Sequence, residues 1–168
     1  EQLADSLKAE FTRLYAEDKS LSLGWDLHQT LRVVLNDSVR LGLNLQQQSY
    51  FGGAHPNNYS LYLYYNLSNG ARLGLPDFIP PNSKERLREI AQKTLRADYE
   101  IPANQSLTEA GFWLENDTLP LPKNFWVEGD TLHLIYNTYE ISPYSMGSII
   151  IPINLAELKP QTTAAPST

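Results

Sequence analysis

The sequence contains no cysteine. Thiolate nucleophiles, disulfides and cysteine-ligated zinc are therefore excluded. It has one methionine, against ten tyrosines and three tryptophans, a balance that suits a sheet protein better than a helical bundle. It lacks a basic excess. Thirteen Lys and Arg face nineteen Asp and Glu, for a net charge of −6. A phosphate backbone selects a basic surface, so a nucleic-acid partner is not expected. The acidic balance is compatible with a cationic protein partner, and plain solubility is its commoner explanation. No apolar run approaches the roughly 20 residues needed to span a bilayer. No GxSxG, P-loop, GxGxxG or SxxK motif occurs, and Gly70-Ala71-Arg72-Leu73-Gly74 lacks the Lys-Ser/Thr of a phosphate loop. His28, His55 and His133 show neither HxH nor HExxH spacing, so no metal or other cofactor is expected.

What is present describes one globular domain. The 168 residues are 42% hydrophobic and 19% charged, enough for a real core. Residues 1–19 read as an amphipathic helix, with Leu3, Leu7, Phe11, Leu14 and Tyr15 at helical spacing. From residue 25 the period becomes two. Leu27, Leu31, Val33 and Leu35 alternate with Asp26, His28, Thr30 and Arg32. After an Asn36-Asp37-Ser38 turn, Val39, Leu41, Leu43 and Leu45 alternate with polar residues. The pattern predicts a long hairpin with one buried and one wet face. A third strand runs from Tyr59 to Leu67, closed by Ser68-Asn69-Gly70. Residues 82–97 form a second helix with Asn82 as N-cap and Leu87, Ile90, Ala91 and Leu95 as its apolar face. Strands at 124–127 and 131–137 flank Glu128-Gly129-Asp130, and a last strand covers 147–153 before a helical start at 154–158. Hairpins dominate and no βαβ rhythm appears. The expected fold is α+β: a single domain with an antiparallel sheet of five to six strands packed by two main helices. Residues 1–24 form an N-terminal helical segment, 25–159 the domain, and the Thr/Ala/Pro-rich 160–168 a disordered tail or linker.

Two loops stand out. Gly52-Gly53-Ala54-His55-Pro56 joins two strands. Its glycines permit positive φ, and Pro56 pushes His55 towards an extended conformation. It either presents His55 to a ligand or forms a structural corner. Tyr139-Glu140-Ile141-Ser142-Pro143-Tyr144 also joins two strands, and carries two tyrosines and a carboxylate in a proline-bent loop. It is either a contact patch, since tyrosines are favoured at interfaces, or a loop folded onto the core. The candidate binding residues are Gly52, Gly53, His55, Tyr139, Glu140 and Tyr144. Asp26 and His28 lie two apart on one strand face and are candidate acid and base groups, with a solvated strand face as the plainer explanation. No residue is assigned a catalytic role. Five Asn-x-Ser/Thr triplets, beginning at Asn36, Asn58, Asn66, Asn104 and Asn116, are read as chance.

The run from Ser49 to Pro56, followed by Tyr59-Ser60 and Ser68-Asn69-Gly70, and the later run from Leu132 through Tyr136-Asn137-Thr138-Tyr139-Glu140 to Gly147, resemble a bacterial envelope domain of unknown function. That domain forms the C-terminal part of the anti-sigma factor RsiV and accompanies the peptidoglycan deacetylase PdaC. The resemblance covers about residues 25–158, and it implies that the helix within residues 1–24 is a remnant of the smaller domain that usually precedes this one. It implies an extracytoplasmic binding or sensing module, periplasmic or at the cell surface, of a lipoprotein or similar protein anchored by a removed N-terminal segment. The implied partner is a protein such as lysozyme, or cell-wall glycan. Two alternatives accompany it: a cell-wall hydrolase or deacetylase (or an accessory unit of one), and a structural spacer domain.

Overall fold

A computed structural model describes residues 2–17 and 24–159. The expected tail at 160–168 lies outside the described residues. Among the described residues the fold is α+β, a single domain with two helices and seven antiparallel strands in two sheets. Helix α1 spans Gln2–Glu17. The first sheet runs in order through β1 (Asp26–Asn36), β2 (Arg40–Tyr50), β3 (Asn57–Asn66) and the short β4 (Arg72–Leu73). Helix α2 spans Lys84–Asp98. The second sheet contains β5 (Phe125–Glu128), β6 (Thr131–Tyr136) and β7 (Ile149–Asn154).

Turn chemistry fixes the first sheet. Asp37 Oδ1 accepts from the backbone N–H of Val39 at 2.8 Å and of Arg40 at 2.6 Å, which closes the β1–β2 hairpin. These bonds and the Arg40 guanidinium hold its carboxyl below the ordinary carboxylate range. The Ser68-Asn69-Gly70 turn leads into β4, a pairing that two residues were too short to announce. Pro152 is tolerated in β7 because β7 is an edge strand.

Helix α2 begins one residue later than expected. Ser83, not Asn82, is its N-cap, and Asn82 takes a positive φ of 62°. The expected apolar face is the buried one: Leu87, Ile90, Ala91 and Leu95. It joins Leu132, Leu134, Ile149, Ile151 and Ile153 of the second sheet in one core. Each fully buried leucine there contributes about 1.5–3 kcal/mol.

The β1–β2 hairpin departs from expectation. Its leucine face was expected to be buried, yet Leu31 and Val33 are 62% and 61% exposed. The tyrosine face of β3 turns inward instead, with Tyr64 buried against Phe78 and Phe125. Gly42, opposite Tyr64, makes this possible. A Cβ there would lie 2.8 Å from the tyrosine ring. An irregularity between Val33 and Leu35 also breaks the face, so Leu35 pairs with Gly42 and packs on the core. The alternation marked a face correctly, but helix α2 already fills the apolar side of the second sheet.

Two buried asparagines join the sheets. Strand β4 covers β3 only at Tyr64 and Tyr65. Further along that edge, Asn124 Oδ1 accepts from Tyr62 N at 2.9 Å and its Nδ2 donates to Ser60 O at 2.6 Å. Asn137 Oδ1 accepts from Ser60 N at 2.9 Å and its Nδ2 donates to the same carbonyl at 3.0 Å. Replacing Asn124 with Ala strands a backbone donor at a buried seam, and the expected loss is about 1–3 kcal/mol in urea denaturation. An unchanged midpoint would show that the seam does not depend on this side chain.

Candidate functional site

The strands deliver the two noted loops to one place. The 51–56 turn leaves β2 with Gly52 at φ 91° and Gly53 at φ 105°, conformations that exclude most side chains. Tyr50 Oη donates to Gly53 O at 2.9 Å and holds the turn. The other loop leaves β6 at Asn137, whose amide is already fixed to Ser60. Since Ser60 lies only a few residues beyond the turn, this bond sets the two loops beside each other.

Contact follows directly. The His55 ring stacks on Tyr144 with centroids 3.5 Å apart and planes within 8°. Tyr144 Oη donates to Pro56 O at 2.9 Å. Tyr144 packs against Tyr139 at 5.7 Å, and Tyr139 stacks on Trp113 at 6.4 Å with planes 15° apart. Four rings thus form one row: His55, Tyr144, Tyr139 and Trp113. Trp113 and Tyr139 are 53% and 50% exposed. Large aromatics left half-exposed and in contact with one another form an apolar surface patch.

Trp113 was not among the candidates. Its segment is held by a backbone bond from Trp113 N to Ile141 O at 2.8 Å, with Phe112 and Ile141 buried on either side. The available signal was a tryptophan outside any periodic stretch, beside a phenylalanine able to anchor it. Tyr139 takes a φ of 71°, rare for a bulky residue. Such strain persists only where the surroundings enforce it, and it clusters at functional positions.

The remaining candidates are placed as follows. Glu140 is exposed and accepts from Asn137 Nδ2 at 3.3 Å, at the border of the row. Gly52 and Gly53 shape the turn. Asp26 and His28 pair with each other on β1 at 3.2 Å, both well exposed, and no hydrogen bond or ion pair links them to His55 or Glu140 among the described residues. His133 stacks on its cross-strand neighbour Trp126 at 4.0 Å, and Trp126 stacks on Tyr62. Burial there pushes His133 below the usual imidazole value, against an opposing pull from Glu128. Among the described residues no group of three or more His, Asp or Glu is arranged to hold a metal, and no helix is long and apolar enough to cross a membrane.

Beneath the row, Tyr136 is buried and donates to Pro120 O at 2.7 Å. Burial, helped by Glu140, drives its hydroxyl far above the ordinary phenol value. The folded state therefore favours the neutral phenol. Its contribution is complete below about pH 10 and is lost as pH rises further, because the unfolded chain ionises first. Thermal stability is expected to fall more steeply above that pH in the wild type than in Tyr136→Phe; parallel curves would contradict this account. The backbone at Tyr139 is checked by a pair of variants. Tyr139→Gly removes the strain and Tyr139→Val keeps it, so the glycine variant should be the more stable by about 1–3 kcal/mol. A valine variant of equal stability would show that the loop relaxes freely.

Comparison with known proteins gives a likeness to one family and no activity. Residues 76–156 match a family model described as a protein of unknown function, DUF3298. The match takes in Trp113, Tyr139 and Tyr144 and begins after the His55 turn. No curated protein matches the chain. A solved member of the DUF3298 family from Bacteroides fragilis is similar at 26% identity and a TM-score of 0.71, over 91% of this chain and 62% of that one. A solved DUF3298 family protein from Pseudomonas aeruginosa is similar in fold, at 19% identity and a TM-score of 0.61, over 90% of this chain and 69% of that one. The chain thus spans less than two thirds of the first of these structures.

Proposed function

We propose that this chain is an extracytoplasmic ligand-binding module of a bacterial envelope protein, and that it binds cell-wall glycan on the row formed by Trp113, Tyr139, Tyr144 and His55. The observation that carries this reading is the half-exposed pair of stacked rings, Trp113 and Tyr139, set by a strained backbone. A pyranose ring presents a flat patch of C–H groups, and the negative face of an aromatic ring is complementary to it. Successive rings suit successive sugars. Glu140 and the hydroxyls of Tyr139 and Tyr144 supply polar groups for the sugar hydroxyls and amides. The resemblance to the domain of RsiV and PdaC supports the envelope location.

The role is binding without turnover. Retention on insoluble peptidoglycan is expected for the wild type, with Trp113→Ala and Tyr139→Ala each weakening it about tenfold or more, as ring truncations at a binding centre do. No muropeptide is expected to be released. Equal retention of both variants, or no retention at low salt, would reject the glycan reading, and released muropeptides would reject binding without turnover.

The net charge of −6 favours a second reading, a cationic protein partner such as lysozyme. Electrostatic association of that kind would weaken sharply with salt and respond little to loss of the aromatic rings. The same variants on a lysozyme column separate the two.

A further inference from the structure

A concavity elsewhere on the molecule shares no residue with the aromatic row. Its volume is about 740 Å³, within the range of sites that hold small organic ligands. It opens where β4, the 3₁₀ turn at Leu75–Asp77, the start of α2 and the 120–125 segment meet. Its walls gather Arg72, Lys84, Arg88 and Lys123, and include neither Asp nor Glu. The chain as a whole is acidic, with nineteen carboxylate residues against thirteen cationic ones. Cations brought together in a concave site repel one another and focus a positive potential into it.

The local bonding leaves this charge available. Among the described residues, Arg72, Lys84 and Lys123 take part in no salt bridge. Arg88 pairs with Glu85 through one terminal nitrogen, while its Nε is buried without any hydrogen-bond partner. A buried guanidinium N–H left unsatisfied marks a place where an outside acceptor fits. The start of α2 adds to the positive field. Ser83 holds the N-cap position but spends its hydroxyl on Pro80 O at 2.6 Å, so the first-turn N–H groups lack a side-chain acceptor. Lys84, at the head of that turn, is part of the wall, and the positive end of the helix dipole lies with it. The rest of the lining is mainly apolar and includes Tyr62, Leu75, Pro76, Leu121 and Phe125.

From this arrangement we propose that the concavity binds a phosphate group carried on an apolar body. The phosphate sits among Arg72, Lys84, Arg88 and Lys123, and the body lies on the Tyr62, Leu75 and Phe125 wall. A phosphate monoester brings a charge of about −1.5 to −2 and three acceptor oxygens, enough to engage two guanidinium forks and an ammonium. A single carboxylate brings one charge and two oxygens and would leave most of the cluster unmatched. The inference makes no use of the aromatic row and stands or falls apart from it.

Titration calorimetry of the full chain at low salt tests it with dihexanoyl phosphatidic acid, inorganic phosphate and dihexanoylglycerol as probes. The phosphatidic acid is expected to bind, inorganic phosphate at least about tenfold more weakly, and the uncharged diacylglycerol not at all. The double variant Lys84→Ala/Lys123→Ala should lose about tenfold or more of the affinity. Both side chains are exposed, so its thermal midpoint should stay at the wild-type value. A control double variant, Lys93→Ala/Lys159→Ala, removes two exposed lysines outside the cavity walls and should bind as the wild type does. Co-sedimentation with vesicles containing phosphatidic acid, but not with pure phosphatidylcholine vesicles, would identify the source as a membrane headgroup. Binding of the soluble probe alone would identify a free phosphorylated compound. Absence of binding to the phosphatidic acid, equal losses in the two double variants, or inorganic phosphate as tight as the amphiphile would overturn the proposal.

Discussion

Two side-chain amides, those of Asn124 and Asn137, hold the molecule together where its backbone alone does not. Strand β4 is too short to cover β3, and a bare edge would remain at Ser60 and Tyr62. An amide carries a donor and an acceptor on one planar group, so it pairs with a strand edge much as another backbone would. Aspartate has no donor when ionised, and alanine offers neither group. The two asparagines flank the β5–β6 hairpin, one just before it and one just after. By gripping Ser60 from both ends of that hairpin, they close the edge of the first sheet and dock the second sheet against it. Closing an edge in this way also removes a template for unwanted strand pairing.

The aromatic row inherits its geometry from this seam. Asn137 is the last buried point before the chain turns outward through Tyr139 and Glu140. Ser60, its partner, lies just after the turn that presents His55. Rigid strands therefore carry both loops, and the rings of Tyr144 and His55 meet where those loops come together. The strained φ of Tyr139 belongs to the same constraint, since the chain must leave a fixed asparagine and still return to the buried Ile141. A platform assembled in advance avoids the ordering cost that flexible side chains would meet on binding. The cationic concavity shares the seam from another side, because Tyr62 and Phe125 both belong to its wall. One docking event between the sheets thus shapes both surfaces.

Much of this was legible in the chain. Helical spacing located α2 and named its four buried residues, because a helix packed on one side must repeat its apolar positions at 3.6. Period-two alternation located β1 to β3 and the Glu128-Gly129-Asp130 turn located β5 and β6, while β4 was too short to show. The α+β class with antiparallel pairing followed from hairpin spacing. Both loops of the row were visible as unusual sequence, since paired glycines and a tyrosine-rich, proline-bent stretch need a reason to exist.

What remained hidden depended on distance along the chain. Alternation says that leucines 31, 43 and 45 share a face with Val33. It does not say which face meets the rest of the protein, and Gly42 and Tyr64 decided that by fitting together. Trp113 joined the row through a backbone bond to Ile141, a contact no local pattern encodes. The four cations of the concavity lie in separate stretches, each of them ordinary by itself. The sequence alone determined the elements, their type and the two loops worth watching, because these depend on neighbours a few residues apart. Only the tertiary structure decided the inward face, the completed row and the cationic site, because each requires groups far apart in the chain to meet across a packed seam.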